Sequence, residues 1–255
     1  MLTDFTGKTI LITGGSHGIG KACAKRFAAL NGDVVITYKS DQDAAECTLA
    51  ELEPKGNHGL YQLDESQPKN VARFFSRMLS HYPNVDVIVN NAGIYQEYKA
   101  NNITHEQWQL TWQETIGNNL NGVANMCYFS SRHMMQQGGG KIINVSSRSF
   151  IHGETDHMAY AASKAGLNSM SQSLAISLAP YNVSVHIIAP RFAETDINNE
   201  LSENELDEVI KKDGKFNRVA SPDEVARLAT LYASPDFEIN TSGIPGLEGT
   251  LYPLG

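Results

Sequence analysis

Short apolar segments and longer amphipathic segments alternate along almost the whole chain. The segments with strand character are 8–13, 34–38, 59–63, 85–90, 141–146, 183–188 and 244–247. Those with helical character are 18–30, 43–52, 68–81, 104–137, 160–179 and 222–234. A repeated strand-helix unit is typical of a parallel sheet with helices on both faces. The sequence therefore predicts one α/β domain over residues 1–255, built on a doubly wound parallel sheet of about seven strands.

A polar and acidic segment, residues 194–215, interrupts this alternation after the sixth predicted strand. We interpret it as a short helical excursion that covers the binding site as a substrate lid. The alternative is a plain surface insertion.

Composition and charge restrict the class of partner. The formal net charge is −8, which disfavours a nucleic-acid backbone as partner. Every apolar run is shorter than the roughly 20 residues of a membrane span, and the N-terminus lacks a secretion-signal pattern. The three cysteines, Cys23, Cys47 and Cys127, have no metal-binding spacing and are interpreted as reduced thiols. We expect a cytoplasmic protein with no bound metal, no nucleic-acid partner and no membrane segment.

A glycine-rich loop, TGGSHGIG at residues 13–20, joins the first predicted strand to the first helix. Glycines there permit a tight turn and let a pyrophosphate approach the helix N-terminus, which is typical of Rossmann-type folds. A helix-capping turn is the alternative, but the position at the start of an alternating chain favours dinucleotide binding. The predicted contacts are Gly14, Ser16, His17, Gly18, Ile19 and Gly20.

The end of the second predicted strand bears on which dinucleotide binds. A carboxylate at this position would bind the ribose 2′-hydroxyl of NAD, but the sequence reads Tyr38-Lys39-Ser40. Lys39, Ser40 and His17 suit a 2′-phosphate instead, although Lys39 could also be an ordinary surface lysine. The sequence therefore predicts NADP(H).

Asp64 follows the third predicted strand, where it could face the adenine ring. The alternative is that Asp64 or Ser66 caps the next helix.

Tyr160 and Lys164 lie one helical turn apart in the segment YAASK. An ammonium at that distance favours the phenolate and lowers the phenol pKa from about 10. Ser147, at the end of the preceding strand, could hold a substrate oxygen beside the phenol. The three side chains predict a proton-transfer site. A Tyr/Lys pair at this spacing is also common on solvated helix faces, so the other motifs decide the interpretation.

Together these motifs resemble the short-chain dehydrogenase/reductase family, in its compact branch. The resemblance covers nearly the whole chain. The motifs occur in the family's order as TxxxxGIG from Thr13, Asn90-Asn91-Ala92-Gly93, Asn119-Leu120-x-Gly122, Ser147, and Tyr160-x-x-x-Lys164.

The resemblance implies roles for these residues. Tyr160 would exchange a proton with the substrate oxygen, and Ser147 would orient the carbonyl. Lys164 would bind the nicotinamide ribose and lower the Tyr160 pKa, with Asn119 holding a water that links Lys164 to solvent. Further cofactor contacts are implied for Asn91, Ala92, Gly93, Pro190 and Thr195. Considered alone, Asn119 and Thr195 could equally be ordinary polar residues of a helix and a loop.

Three departures from the family pattern bear on substrate fit and subunit packing. Arg191 follows Pro190 where the family usually has glycine, Phe150 replaces a frequent glycine, and residues 248–250 read EGT. Candidate pocket residues are Tyr95, Phe150, His152, His157, Arg191 and Phe192.

The resulting hypothesis is an NADP(H)-dependent oxidoreductase that interconverts a carbonyl and a secondary alcohol. The alternatives are an NADP-binding regulatory or scaffold protein and a carrier-linked 3-oxoacyl reductase. The apolar residues Met126, Phe129 and Met170 extend beyond one face of the two longest helices. Because these helices pair across a twofold axis in the family, we also expect a homotetramer.

Overall fold

The computed structural model of the protein describes residues 3–150, 154–190, 220–234 and 237. The predicted lid at 194–215, with Thr195, and the predicted strand at 244–247 lie outside these residues, as do His152, Arg191 and Phe192.

Six parallel strands, in the order β3-β2-β1-β4-β5-β6, make up the sheet in the described part of the chain. They are β1 (Thr9–Ile12), β2 (Asp33–Tyr38), β3 (Gly59–Gln62), β4 (Val87–Asn90), β5 (Gly140–Val145) and β6 (Val183–Ile188). The α-helices are α1 (Gly18–Ala29), α2 (Gln42–Ala50), α3 (Pro68–Leu79), α4 (His105–Ile116), α5 (Val123–Gln137), α6 (Met158–Leu178) and α7 (Pro222–Ala233). The predicted doubly wound α/β fold is confirmed.

Helices cover both faces of this sheet, so most residues of its strands apart from β3 are buried. Successive residues of a strand point to opposite faces, so Ile10 packs in a cluster with Phe27 of α1 and Ala229 of α7. The next residue, Leu11, packs in a second cluster on the other face that includes Phe75 of α3. Crossing a lipid bilayer requires a longer and more apolar helix than any found among the described residues.

The strand order reverses direction at β1, which lies between β2 and β4. In open α/β sheets, ligands bind outside the carboxyl ends of the strands at such a switch point. The loops after β1, β4 and β5 begin at this edge, and they carry the predicted site residues Gly14, Ser16, His17, Asn91, Ala92, Gly93 and Ser147.

The long helix predicted over 104–137 contains a π-helical turn, Gly117–Gly122, between α4 and α5. Thr104 caps its start with a reciprocal capping box to Gln107. Single π-helical turns inside α-helices are frequent at functional sites, and this one carries Asn119.

Candidate active site

A cleft of about 530 Å³ runs along the carboxyl edge of the sheet. The predicted site residues that line it are Gly14, Ser16, His17, Gly18, Ile19, Tyr38, Lys39, Ser40, Asn91, Ala92, Gly93, Ser147, Tyr160, Lys164 and Pro190. Gly20, Asp64 and Asn119 lie outside its lining. The cleft thus brings the glycine loop and the Tyr160 group into one continuous space.

Backbone geometry explains the glycines of the first loop. Gly14 and Gly18 have φ angles of +62° and +48°, a conformation that glycine adopts at low cost. A Cβ at Gly14 would lie 3.0 Å from the Cα of Ala92, and one at Gly20 would overlap the Gly14 carbonyl oxygen. The glycines therefore let α1 begin close against the loop that follows β4.

The Thr13 hydroxyl fixes this contact between the two loops. Its Oγ1 accepts hydrogen bonds from the backbone N–H of Asn91 at 3.1 Å and of Ala92 at 3.0 Å. At the start of α1, His17 occupies the N-cap position but its side chain makes no capping hydrogen bond. A helix N-terminus without a side-chain cap, facing a glycine-lined cleft, fits the pyrophosphate of a dinucleotide.

At the end of β2, the charged side chains pair with one another. Lys39 Nζ lies 3.3 Å from Asp64 Oδ2 and 3.2 Å from Asn118 Oδ1. His17 Nε2 lies 3.3 Å from Asp41 Oδ2. Since Lys39 is 52% exposed, its ammonium is free to reorient toward a phosphate at the rim of the cleft.

Two carboxylates follow β3, and the prediction of an adenine contact or a helix cap concerned only the first of them, Asp64. Asp64 accepts hydrogen bonds from the Ser66 backbone and hydroxyl and pairs with Lys39, and it is not among the residues that line the cleft. It does not cap the next helix, and neither does Ser66, because the N-cap of α3 is Gln67. Glu65 lines the cleft instead and is only 7% exposed. Burial raises the pKa of Glu65 to about 7.

The other end of the cleft holds Ser147 at the end of β5 and Tyr160 in the first turn of α6. A hydrogen bond with Ser147 favours ionisation of the Tyr160 phenol, but burial outweighs it and raises the pKa of Tyr160 to about 12. In the protein without ligand the net shift of this pKa is therefore upward, opposite to the predicted lowering. The i,i+4 argument accounted for the nearby charge but omitted the cost of desolvating the phenolate.

Lys164 is 5% exposed, and its Nζ donates a hydrogen bond to the Val145 carbonyl oxygen at 2.8 Å. Burial lowers the pKa of Lys164 to about 8. The ammonium nitrogen lies 5.6 Å from the centre of the Tyr160 ring. Gly93 lies beside this group, since a Cβ there would lie 3.9 Å from the Lys164 nitrogen and 3.2 Å from Asn119 Oδ1.

Asn119 is fully buried behind the cleft. Its amide exchanges hydrogen bonds with Ile94, accepting from the backbone N–H at 2.8 Å and donating to the carbonyl oxygen at 2.9 Å. It also donates to the Ser163 hydroxyl at 3.3 Å. The π-helical turn thus holds Asn119 rigidly against the loop after β4.

The polar residues of the cleft wall that sequence reasoning missed include Glu65, Ser149 and Glu154. Their positions in the sequence could have indicated them, because Glu65 follows the third strand and the other two lie between Ser147 and Tyr160. Two predicted pocket residues, Tyr95 and His157, stack with ring centres 3.8 Å apart.

A glycine-lined cleft that ends at a tyrosine beside a buried lysine and a buried serine defines a nucleotide-dependent oxidoreductase. The sequence model of the short chain dehydrogenase family matches residues 8–206, and the chain belongs to this family.

Named relatives span nearly the whole chain. An NAD-dependent glycerol dehydrogenase from Listeria innocua is 32% identical, covering 91% of this chain and 88% of its own. A 3-oxoacyl-acyl-carrier-protein reductase from Chlamydia trachomatis is 32% identical, covering 95% and 96%. A short chain dehydrogenase from Burkholderia cenocepacia, solved in complex with NADP, has a TM-score of 0.86 and 29% identity, covering 96% and 98%.

Proposed function

We propose that this protein uses NADP(H) to interconvert a carbonyl compound and a secondary alcohol, with Ser147, Tyr160 and Lys164 as its catalytic group. The observation that carries the proposal is that these three side chains line the same cleft as the glycine loop. A hydride donor bound along the loop and a substrate at its inner end would share one space.

When bound, the nicotinamide supplies or accepts the hydride. The phenol of Tyr160 gives its proton to the substrate oxygen during reduction and recovers it during oxidation. Ser147 holds that oxygen beside the phenol. Lys164 presents a buried cation next to the ring, which stabilises the phenolate formed when the proton leaves. Asn119 holds the loop after β4 in place.

The choice of NADP(H) is supported by the side chains at the end of β2. Tyr38, Lys39 and Ser40 line the cleft and include no carboxylate to bind a ribose 2′-hydroxyl or repel a 2′-phosphate. Lys39 supplies a partly exposed cation. The Burkholderia structure bound to NADP is consistent with this choice.

The substrate proposed is a small, uncharged or cationic carbonyl compound. Near the inner end of the cleft, Glu97, Glu154 and Asp156 all act electrostatically on the aromatic pair Tyr95 and His157. Glu154 is the one of these three that lines the cleft, and its carboxylate disfavours a negative group of the substrate beside it, although the Arg148 cation also acts on Tyr95.

A carrier-linked 3-oxoacyl reductase is the second candidate, favoured by the named Chlamydia relative. An assay of NADPH oxidation distinguishes the two functions. It compares kcat/KM for uncharged ketones and diketones with kcat/KM for acetoacetyl-coenzyme A. Higher kcat/KM for acetoacetyl-coenzyme A would replace the first candidate with the second. Binding of NADPH without turnover of any compound would favour a regulatory or scaffold protein.

The Tyr160→Phe variant tests the proposed chemistry directly. Phenylalanine keeps the ring but removes the proton, so we expect kcat to fall by roughly 10²–10⁴-fold with the Kd for NADPH unchanged. Tyr61→Phe removes a hydroxyl outside the cleft and is the control. Turnover by Tyr160→Phe within about twofold of the wild type would refute the assignment.

We further propose a cytoplasmic homotetramer in which residues 1–255 form one unit with a lid at 194–215. Met126 does not support assembly, because it is fully buried in the subunit core. Tyr128 on α5 and Ile176 on α6 do support it, since they are 56% and 76% exposed. Light scattering at micromolar concentration tests the assembly, and a monomeric mass would contradict it.

A further inference from the structure

Glu65 is a buried carboxyl in the cleft wall that has no part in the proposed reaction. It follows β3, lines the cleft and is 7% exposed. Its oxygen Oε1 accepts a hydrogen bond from the Thr37 hydroxyl over 3.5 Å. Its other oxygen, Oε2, is buried without a hydrogen-bond partner among the described residues. A carboxylate is costly at such a site, because little replaces the water that it loses on burial.

The two threonines that bond to this carboxyl each anchor a loop of the cleft. Thr13 Oγ1 accepts hydrogen bonds from two backbone N–H groups of the loop after β4. Its own proton therefore needs a separate acceptor, which the Glu65 carboxyl supplies. The Thr37 carbonyl oxygen accepts from the backbone N–H of Gly15 in the glycine loop at 3.0 Å. Glu65 thus lies behind both loops against which a dinucleotide would bind.

The π-helical turn and α5 hold the backbone of Glu65 in place. A Cβ at Gly122 would lie 3.2 Å from the Glu65 Cβ, and Asn125 Nδ2 donates to the Glu65 carbonyl oxygen at 3.2 Å. Because its backbone is held on this side and its carboxyl on the other, Glu65 is a fixed part of the wall.

The charged and titratable groups near Glu65 do not form an ion pair with it. Lys39 lowers its pKa, but the Lys39 ammonium pairs with Asp64, whose own charge raises the Glu65 pKa. Cys127 of α5 also faces Glu65 and stays neutral, because burial raises the pKa of this thiol to about 12. Burial is the largest influence on Glu65 and raises its pKa to about 7.

We propose that Glu65 couples the binding of NADP(H) to the uptake of a proton, on the basis of the function proposed above. A dinucleotide brings negative phosphates into the cleft and displaces water from its wall. Both changes disfavour a carboxylate in that wall, so Glu65 is the neutral acid in the complex. The proton comes from solvent, and no other bond changes. Glu65 is a positioning residue, since it acts on the two loops through Thr13 and Thr37.

Affinity for NADP(H) should therefore be highest below pH 7, where Glu65 is already neutral in the free protein. Above pH 7, binding must first protonate the carboxylate, so the Kd should rise by up to about tenfold for each pH unit. A side chain that only braces the loops gives no such dependence, because an ionised and a neutral carboxyl both accept from the threonines.

The test compares the Kd for NADPH of the wild type and Glu65→Gln at pH 6 and pH 8, by fluorescence titration. The amide stays neutral and keeps an acceptor for both threonines. We expect the variant to match the wild type at pH 6 and to bind about tenfold more tightly than the wild type at pH 8. Glu53→Gln, an exposed change outside the cleft, is the matched control and should follow the wild type at both values.

Other titrating groups cancel in this comparison. The 2′-phosphate of the cofactor has a pKa of about 6, and His17 and Lys164 also line the cleft. All three are present with either protein, so the difference between wild type and Glu65→Gln reports Glu65 alone.

Calorimetry in two buffers of different ionisation enthalpy counts the protons taken up per NADPH bound. At pH 7.5 the wild type should take up about 0.7 protons more than Glu65→Gln, because a group with a pKa of about 7 is mostly ionised there. A wild type that takes up no proton would overturn the coupling without the use of any variant.

Two results with Glu65→Gln would also overturn the coupling. One is a Kd that changes with pH as much as in the wild type. The other is binding weakened by the same factor at both pH values, which would assign Glu65 to bracing alone. Failure of the proposed function gives a different result, because Tyr160→Phe would then retain turnover. If only the coupling is wrong, NADPH still binds and Tyr160→Phe is still inactive.

Discussion

The lysines at the two ends of the cleft differ in their exposure to solvent. At the end of β2, Lys39 is 52% exposed and forms an ion pair with Asp64 at the protein surface. At the end of β5, Lys164 is 5% exposed and bonds to a backbone carbonyl. Exposed pairs contribute about 0–1 kcal/mol, whereas desolvation shifts the pKa of a buried group strongly. The comparison supports the proposal that the outer end selects the cofactor and the inner end carries out the reaction.

The largest expected effect is at the inner end, in Lys164→Met. Removal of the buried cation leaves a phenolate at Tyr160 without stabilisation, so we expect kcat to fall by roughly 10²-fold or more. In the wild type the ammonium form predominates below its pKa of about 8. Activity that depends on it should decline as the pH rises through that value, and steady-state kinetics from pH 6 to 10 measure both effects.

Two controls sharpen this comparison. Lys55→Met removes an exposed lysine outside the cleft and should leave the kinetics unchanged. Lys39→Met should raise the Kd for NADPH while kcat stays within about threefold of the wild type. If Lys39→Met lowered kcat as much as Lys164→Met, the division between the two ends would be wrong.

The sequence predicted the elements well where apolar periodicity and end signals agreed. The bounds of β6 match the prediction, and α7 begins at the predicted Pro222 after a Ser221 capping box. Spaced motifs likewise predicted that Ser147 and Tyr160 would meet, because strand ends of a parallel sheet share one edge.

Properties that depend on tertiary burial could not be predicted in this way. Asp64 and Glu65 are adjacent carboxylates in a loop, and which one faces inward is decided by packing against other elements. The direction of the Tyr160 pKa shift was mispredicted for the same reason, since spacing along a helix carries no information about desolvation.

Glu65 extends the comparison to stability, because it is a buried carboxyl at the outer end. Its pKa of about 7 lies above the ordinary value of 4.5, so the folded state binds its proton more tightly than the unfolded state does. This contribution to stability is complete below pH 4.5 and is lost as the pH rises through 7. Thr13 and Thr37 bond to the carboxyl, with the charges of Asp64 and Lys39 nearby.

We therefore expect Glu65→Gln to change the free energy of unfolding by different amounts at the two pH values. The change at pH 7.5 should be more stabilising than the change at pH 5 by about 2 kcal/mol. The neutral amide imitates the protonated acid and stays neutral at every pH. Urea denaturation at the two pH values measures the difference, and Cys127, which also faces Glu65, stays protonated at both. Glu53→Gln, an exposed change outside the cleft, is the control. A pH dependence identical to that of the wild type would show that Glu65 is ionised in the folded state at both values.

An effect of similar size is expected for cofactor choice at the outer end. A charge-assisted contact between Lys39 and a 2′-phosphate contributes about 1.5–3 kcal/mol. We therefore predict a preference for NADPH over NADH of at least about tenfold in kcat/KM. Lys39→Ala should lose most of this preference. Tyr38→Asp should reverse it, because a carboxylate there accepts from a 2′-hydroxyl and repels a phosphate.

The Lys39–Asp64 ion pair supplies a sharper version of this test. In the protein without ligand, Asp64 holds the ammonium at 3.3 Å, so binding a phosphate must compete with that contact. Asp64→Asn removes the competing charge but keeps an acceptor for the Ser66 turn, and it should increase the NADPH preference by about two- to fivefold. This increase should shrink in high salt, because exposed charges are screened, whereas the loss of kcat in Lys164→Met should be independent of salt. Equal use of NADH and NADPH by the wild type, or an unchanged ratio in Lys39→Ala, would mean that the end of β2 does not select the cofactor.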